Sequence, residues 1–161
     1  MNKELQKIYQ EDQGDRKSND FNRNPLFFIK RDRARRKKIS KILKKIKFNQ
    51  GQDYYYAAMI FHHSPYKKDI KMAIELAEKS FKAGYKKARW LYAAAIDRLL
   101  VLENKKQKFG TQFFQKNQAS KVILFPIDPS TTDKDRLEYN VPSFKKIKQQ
   151  IAELNKKVTK K

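Results

Sequence analysis

The stretch ARWLYAAAIDRLLVLE, residues 88–103, limits the fold more than any other part of this 161-residue chain. From Trp90 to Leu102 its only charges are Asp97 and Arg98. A helix that is apolar on nearly every side needs the rest of the chain to cover it. Its small alanines let a neighbouring helix approach closely. Trp90, Ala94, Asp97 and Val101 fall on one face at helical spacing. Asp97 is therefore expected to point where the apolar side chains point. A buried carboxylate without a partner is strongly destabilising or takes up a proton. Arg98 diverges from Asp97 on the helix, so each must reach another segment.

The remaining elements follow from apolar spacing and from turn residues. Residues 3–17 predict a first helix, with Leu5 and Ile8 on one side. SNDFNRNPL, residues 18–26, breaks it. Residues 30–47 predict a second helix, with Ile39, Ile42, Leu43 and Ile46 at helical spacing. After Gly51 comes DYYYAAMIFHH, for which Asp53 is the expected cap. Residues 66–83 form a fourth helix stopped by Gly84, and 86–103 a fifth. These last two are expected to pair as a hairpin. KVILFPID, residues 121–128, is a short strand or an extended segment. Ser130–Asp135 opens a short helix and Pro142-Ser143 the last one, 143–158.

The expected fold class is thus all-α, or mainly α. It is a compact bundle of helical hairpins with a short extended segment near 121–127. One domain, 1–161, is expected. It divides into an N-terminal helix (1–20), helical hairpins (30–103), a polar loop with the extended segment (104–142) and a C-terminal helix with a basic tail (143–161).

Composition excludes several chemistries. There are no cysteines, so no disulfide, thiolate metal site or cysteine nucleophile exists. No apolar run approaches the roughly 18 residues of a membrane span. The N-terminus, MNKELQKIYQEDQGDR, has no signal-peptide core. A cytoplasmic protein without membrane contact is expected. The net charge of +22 invites a nucleic-acid reading. Lysine spread over every helix argues for compositional bias; a localised stripe would argue for a binding face.

The polar residues that do not suit a simple bundle form one set. Asp12 and Arg16 are four apart on the first helix, with Gln13 beside them. His62 and His63 end the third helix. Asp97 and Arg98 sit on the fifth. The loop QKFGTQF adds Gln107, Gly110, Thr111 and Gln112. As a site, Arg16 and Arg98 would hold a phosphate or carboxylate. Gln13, Gln107, Gly110, Thr111 and Gln112 would complete the ligand contacts. His62, His63, Asp97 and Asp12 are the acid–base candidates, for which no catalytic role is assigned. No Walker loop, nucleophile elbow or dinucleotide fingerprint is present, no metal or cofactor is expected, and the chain is not identified as an enzyme. As a structural network, the same residues would pair Asp97 with Arg16 and Arg98 with Asp12, the glutamines satisfying loop carbonyls.

In order along the chain, EDQGDR (11–16), QDYYYAAMIFHHS (52–64), ARWLYAAAIDRLL (88–100), QKFGTQF (107–113), FPIDPSTTDKDR (125–136) and VPSF (141–144) resemble a family of small, mainly bacterial proteins classed as a domain of unknown function. The match covers nearly the whole chain. It implies a helical domain, places the polar set just named at the family's pattern positions, and gives no established activity. The sequence departs from the pattern in its lysine load and in FNRNPLFFIKR (21–31). It departs again where NQASKVIL (117–124) replaces a glycine-tryptophan element. Locally, AIELAEKSFKAGYKKARWLYA (73–93) resembles the helix-turn-helix of Sel1-like and tetratricopeptide repeats.

Three functions are consistent with these features. The first is a polar inter-helix site for a small polar or anionic ligand. The second is a helical module that binds a protein partner, with Tyr54–Tyr56, Phe113 and Phe114 as the aromatics of its groove. The third is nucleic-acid binding through 30–47, which carries eleven Lys/Arg and one acid, Asp32.

Overall fold

The computed structural model describes residues 1–18, 24–117 and 119–158. It is mainly α: α1 (Lys3–Lys17), α2 (Pro25–Lys45), α3 (Gly51–His62), α4 (Lys67–Lys82), α5 (Ala88–Leu102), β1 (Phe113–Phe114), β2 (Ile123–Leu124), α6 (Asp133–Glu138) and α7 (Phe144–Val158). No helix among the described residues is long and apolar enough to cross a membrane. Contacts group the chain into two compact units, Met1–Leu91 and Tyr92–Lys161.

In the first unit, α3 is the central helix and packs on α1, α2 and α4. Its core is Leu5 and Ile8 from α1, Ile39 from α2, Ala57, Ala58, Ile60 and Phe61 from α3, and Ile70, Ala73, Leu76 and Ala77 from α4. Within this unit α4 packs most extensively on α3. Glycine at position 51 lets the start of α3 meet the end of α4, and an added Cβ there would lie 2.8 Å from the Ser80 carbonyl oxygen. The Ser80 hydroxyl donates to the Gly51 carbonyl at 2.6 Å.

Two caps differ from expectation. The second helix starts at Pro25, five residues before the expected start. Asn24 accepts the Phe27 N–H, and Pro25 occupies the first turn where it loses no helix bond. The expected break at 18–26 falls largely on residues 19–23, outside the described residues. Asp53 does not cap α3; its carboxylate instead accepts the Asn2 backbone N–H at 2.8 Å.

In the second unit, Ala93, Phe109, Val141 and Ile147 form the core, with Ile96, Leu124, Tyr139 and Ile151 packed around it. The KVILFPID segment contains a two-residue strand, β2, antiparallel to β1: Phe113 faces Leu124 and Phe114 faces Ile123. Thr132 and Asp135 form a reciprocal capping box that starts α6. Trp90, expected on a covered face with Ala94 and Asp97, is 42 % exposed, whereas those two are fully buried.

Candidate functional site

The first unit collects Asp12, Gln13, Arg16 and His63, and adds Asp15, Arg31, Asp32 and Arg35. On α1, positions 12, 15 and 16 face α2, where 31, 32 and 35 answer them. The Arg16 Nη2 donates to Asp12 Oδ1 at 3.2 Å and to Asp32 Oδ2 at 2.7 Å. Arg35 reaches Asp32 at 3.0 Å and also binds Asp15. Arg31 donates to Asp15 at 2.8 Å. Three carboxylates thus meet three guanidiniums, so the network is charge-balanced before any ligand arrives.

His63, not His62, faces this cluster. Its Nδ1 lies 2.7 Å from Arg16 Nε and 3.1 Å from Asp12 Oδ2. A guanidinium only donates and a carboxylate only accepts. Nδ1 therefore serves one neighbour at a time: unprotonated it accepts from Arg16, protonated it donates to Asp12. Asp12 is 1 % exposed. Burial by itself would raise its pKa. The His63 hydrogen bond and charge, the Arg16 charge and the Gln13 amide at 2.9 Å outweigh that, and the pKa lies below the ordinary value. His62 is buried, its ring 5.8 Å from that of His63.

The second unit collects Asp97, Gln107, Gly110, Thr111 and Gln112. Asp97, fully buried, accepts four hydrogen bonds from the loop that follows its own helix. Lys108 N and Phe109 N reach Oδ1 at 2.7 and 2.8 Å; Thr111 N and its hydroxyl reach Oδ2 at 2.9 and 2.8 Å. The Gln107 amide donates to the Gln112 and Phe125 carbonyls and accepts the Gln112 N–H, all within 2.9 Å. Gln112 reaches the Ala94 carbonyl at 3.3 Å. Gly110 has φ of +90°, and an added Cβ would sit 2.8 Å from Ile127 Cδ1. The polar groups of QKFGTQF are therefore spent on the chain itself. Within its own unit Asp97 binds loop amides, and within the other Asp12 binds Arg16 and His63. Arg98 lies half-buried on α5.

Several polar residues had not been singled out. Arg136, 3 % exposed, donates to the Phe109 and Thr131 carbonyls at 3.0 Å each. Arg36 Nε meets Asp69 at 3.1 Å, and the Ser64 hydroxyl donates to the same carboxylate at 2.6 Å. For Asp15, Asp32 and Arg35 a signal existed: Asp32 is the lone acid in a run of eleven cations, and a lone acid there marks the inward side.

The outward side of α2 is different in kind. Lys30, Arg33, Lys37, Lys41 and Lys44 are all exposed and recur at three- and four-residue steps. That spacing is one straight face about 21 Å long at 1.5 Å per residue. Among the described residues none of the five has an acidic partner. Lys45, the last residue of the helix, and Lys47 beyond it continue the charge.

The aromatics named for a protein groove divide. Phe113 and Phe114 are about half exposed on β1. Tyr56 is buried and stacks on Tyr9 at 4.5 Å, and Tyr55 packs against Tyr85 at 5.1 Å. Among the described residues no group of three histidine or acidic side chains could hold a metal ion. No family model, curated protein or solved structure matches the chain.

Proposed function

We propose that this protein binds a polyanion, the phosphate backbone of a nucleic acid, along the exposed face of α2. The observation that carries the reading is the separation of charge on that helix. Its arginines 35 and 36 turn inward to carboxylates, while Lys30, Arg33, Lys37, Lys41 and Lys44 stand outward without an acidic partner among the described residues. Strongly hydrated ammonium groups at regular spacing suit phosphates that run along a line.

The test is fluorescence anisotropy with a labelled 20-mer oligonucleotide between 50 and 200 mM salt. Five phosphate contacts to a single strand predict a log–log slope of about −3.5 and a loss of affinity of roughly 100-fold over that range. Lys37→Glu/Lys41→Glu should abolish most of the binding. Lys156→Glu/Lys157→Glu on α7, an equal charge change, should leave affinity within about twofold, since contact rather than net charge sets the slope. A flat salt dependence, or equal losses from the two double variants, refutes the reading.

A second reading, a small polar or anionic ligand at Asp12, Arg16 and His63, is favoured by the exclusive choice at His63 Nδ1. An anion that draws Arg16 away would free Nδ1 to take a proton and donate to Asp12. A thermal-shift screen of nucleotides, sugar phosphates and amino acids tests it. A ligand must raise the midpoint of the wild type and not that of His63→Gln; no such ligand sinks it.

A further inference from the structure

The basic face of α2 ends at a pocket. Where the helix stops, Ile46 takes up an extended conformation and the chain crosses to α3. Residues 43–48 there, with Tyr54 and part of α4, enclose about 450 Å³. That is within the roughly 300–1,000 Å³ of small-molecule sites. About half of the lining is apolar, from Leu43, Leu76, Ile46 and Met72, of which Ile46 is 50 % exposed and Met72 37 %. Phe48 and Tyr54 meet edge-on at 5.3 Å, and the Tyr54 hydroxyl is already committed to the Phe48 carbonyl at 2.8 Å. The rim carries Lys44, Lys45, Lys47 and Lys79 against a single acid, Glu75.

This combination selects its occupant. Four lysines around a half-apolar lining suit a flat, weakly polar body that has negative charge attached on either side. A base of a polynucleotide has that form, with phosphates flanking it. The pocket also shares Lys44 with the helix face, so a strand laid along α2 arrives at it. A base inside a duplex is stacked and paired and cannot enter a concave site; an unpaired base can. Resting on the polyanion reading above, we infer that the partner is single-stranded nucleic acid. Its phosphates follow the α2 lysines and one base enters the pocket between residues 43–48 and α4.

The experiment compares a labelled single-stranded 20-mer with the same sequence as a duplex, at one salt concentration. The proteins are the wild type and Ile46→Asn/Met72→Gln. Both substitutions are neutral and both positions are exposed, so charge and fold are retained. Lys79→Gln, on the rim but off the helix face, is a second variant. The wild type should prefer the single strand. The double variant should lose about tenfold on the single strand, the scale of one base contact. It should bind the duplex within twofold of wild type and keep the same salt slope. Equal binding of single strand and duplex by the wild type overturns the inference. So does an unchanged single-strand affinity in the double variant. In both cases a steep salt slope leaves the polyanion reading standing. No salt-dependent binding of either nucleic acid overturns both. A preference for an acidic peptide bearing a phenylalanine over the single strand, lost in the double variant, overturns the nucleic-acid assignment of the pocket.

Discussion

Asp97→Asn should be among the most damaging isosteric changes in this chain. The carboxylate is fully buried and receives four donors, two on each oxygen. Asparagine keeps one oxygen and replaces the other with an NH2 group. Two of the four donors then face another donor. Hydrogen bonds to a charged acceptor contribute about 1.5–3 kcal/mol each, so the loss should be roughly 3–5 kcal/mol. Total stabilities are commonly about 5–15 kcal/mol, so the change removes a large share. Urea unfolding followed by far-ultraviolet circular dichroism measures the loss. Hydrogen exchange at amides 108, 109 and 111 locates it, because the amides on the replaced oxygen, either 108 and 109 or 111, lose their acceptor directly. Thr111→Val removes the hydroxyl bond to Asp97 and the one the hydroxyl accepts from Gln112 Nε2, leaves the amide bonds, and should cost about 1–3 kcal/mol. A loss under about 1 kcal/mol for Asp97→Asn, with the three amides as protected as before, would refute the view that this carboxylate anchors the loop.

The other predictions concern the first unit. Asp12 has a lowered pKa in the folded state, so its carboxylate contributes stability in full above the unfolded value of about 3.9, and that contribution is lost as pH falls through the folded value. Melting curves from pH 2 to 7 should show the wild type losing stability below about pH 4, and Asp12→Asn, weaker at neutral pH, with a shallower acid limb. Gly51→Ala should destabilise by about 1–3 kcal/mol in urea, because its Cβ meets the Ser80 carbonyl oxygen, which is backbone and cannot swing aside. Gly14→Ala should act in the opposite direction: nothing lies within 4 Å of the added Cβ on this exposed helical position, and the gain should be about 0.5–1 kcal/mol in the same assay.

The helices were legible because each is marked by apolar spacing and bounded by glycine, proline or asparagine. Most of their boundaries lie within a few residues of expectation. What failed was partnership. That Asp97 needs a partner follows from its apolar neighbours. That its partners are backbone amides does not, because every residue has an amide and none is marked in the sequence. An arginine is visible in sequence, and so the arginine at position 16 looked like the answer. β1 was missed for a related reason. Phe113–Phe114 is too short to show alternation, and it becomes a strand only by pairing with Ile123–Leu124. The choice between His62 and His63 turns on one residue at the end of α3, a step of 100° around the axis, which periodicity at a helix terminus does not fix.

The basic run of α2 shows where sequence reading stopped short of a decision. Read as a string, 30–47 is an undivided block of eleven cations. Folded, it separates by side, with Arg35 and Arg36 turned inward and Arg33 outside among the lysines. A guanidinium presents a planar fork that can satisfy two carboxylates at once, so Arg35 bridges Asp15 and Asp32, and Arg36 takes Asp69. An ammonium group is a compact charge that keeps its water, and the lysines take the outside. Asp12, Asp15 and Asp32 neutralise the inner arginines, so those charges add little to the field that a distant ligand meets. Lys30, Lys37, Lys41 and Lys44, without an acidic partner among the described residues, dominate it, whereas Lys38 meets Glu4 at 3.1 Å. Net charge alone therefore overstates the number of cations available to a polyanion. The separation on this one helix determines both how α1 and α2 are held together and which cations are left facing outward.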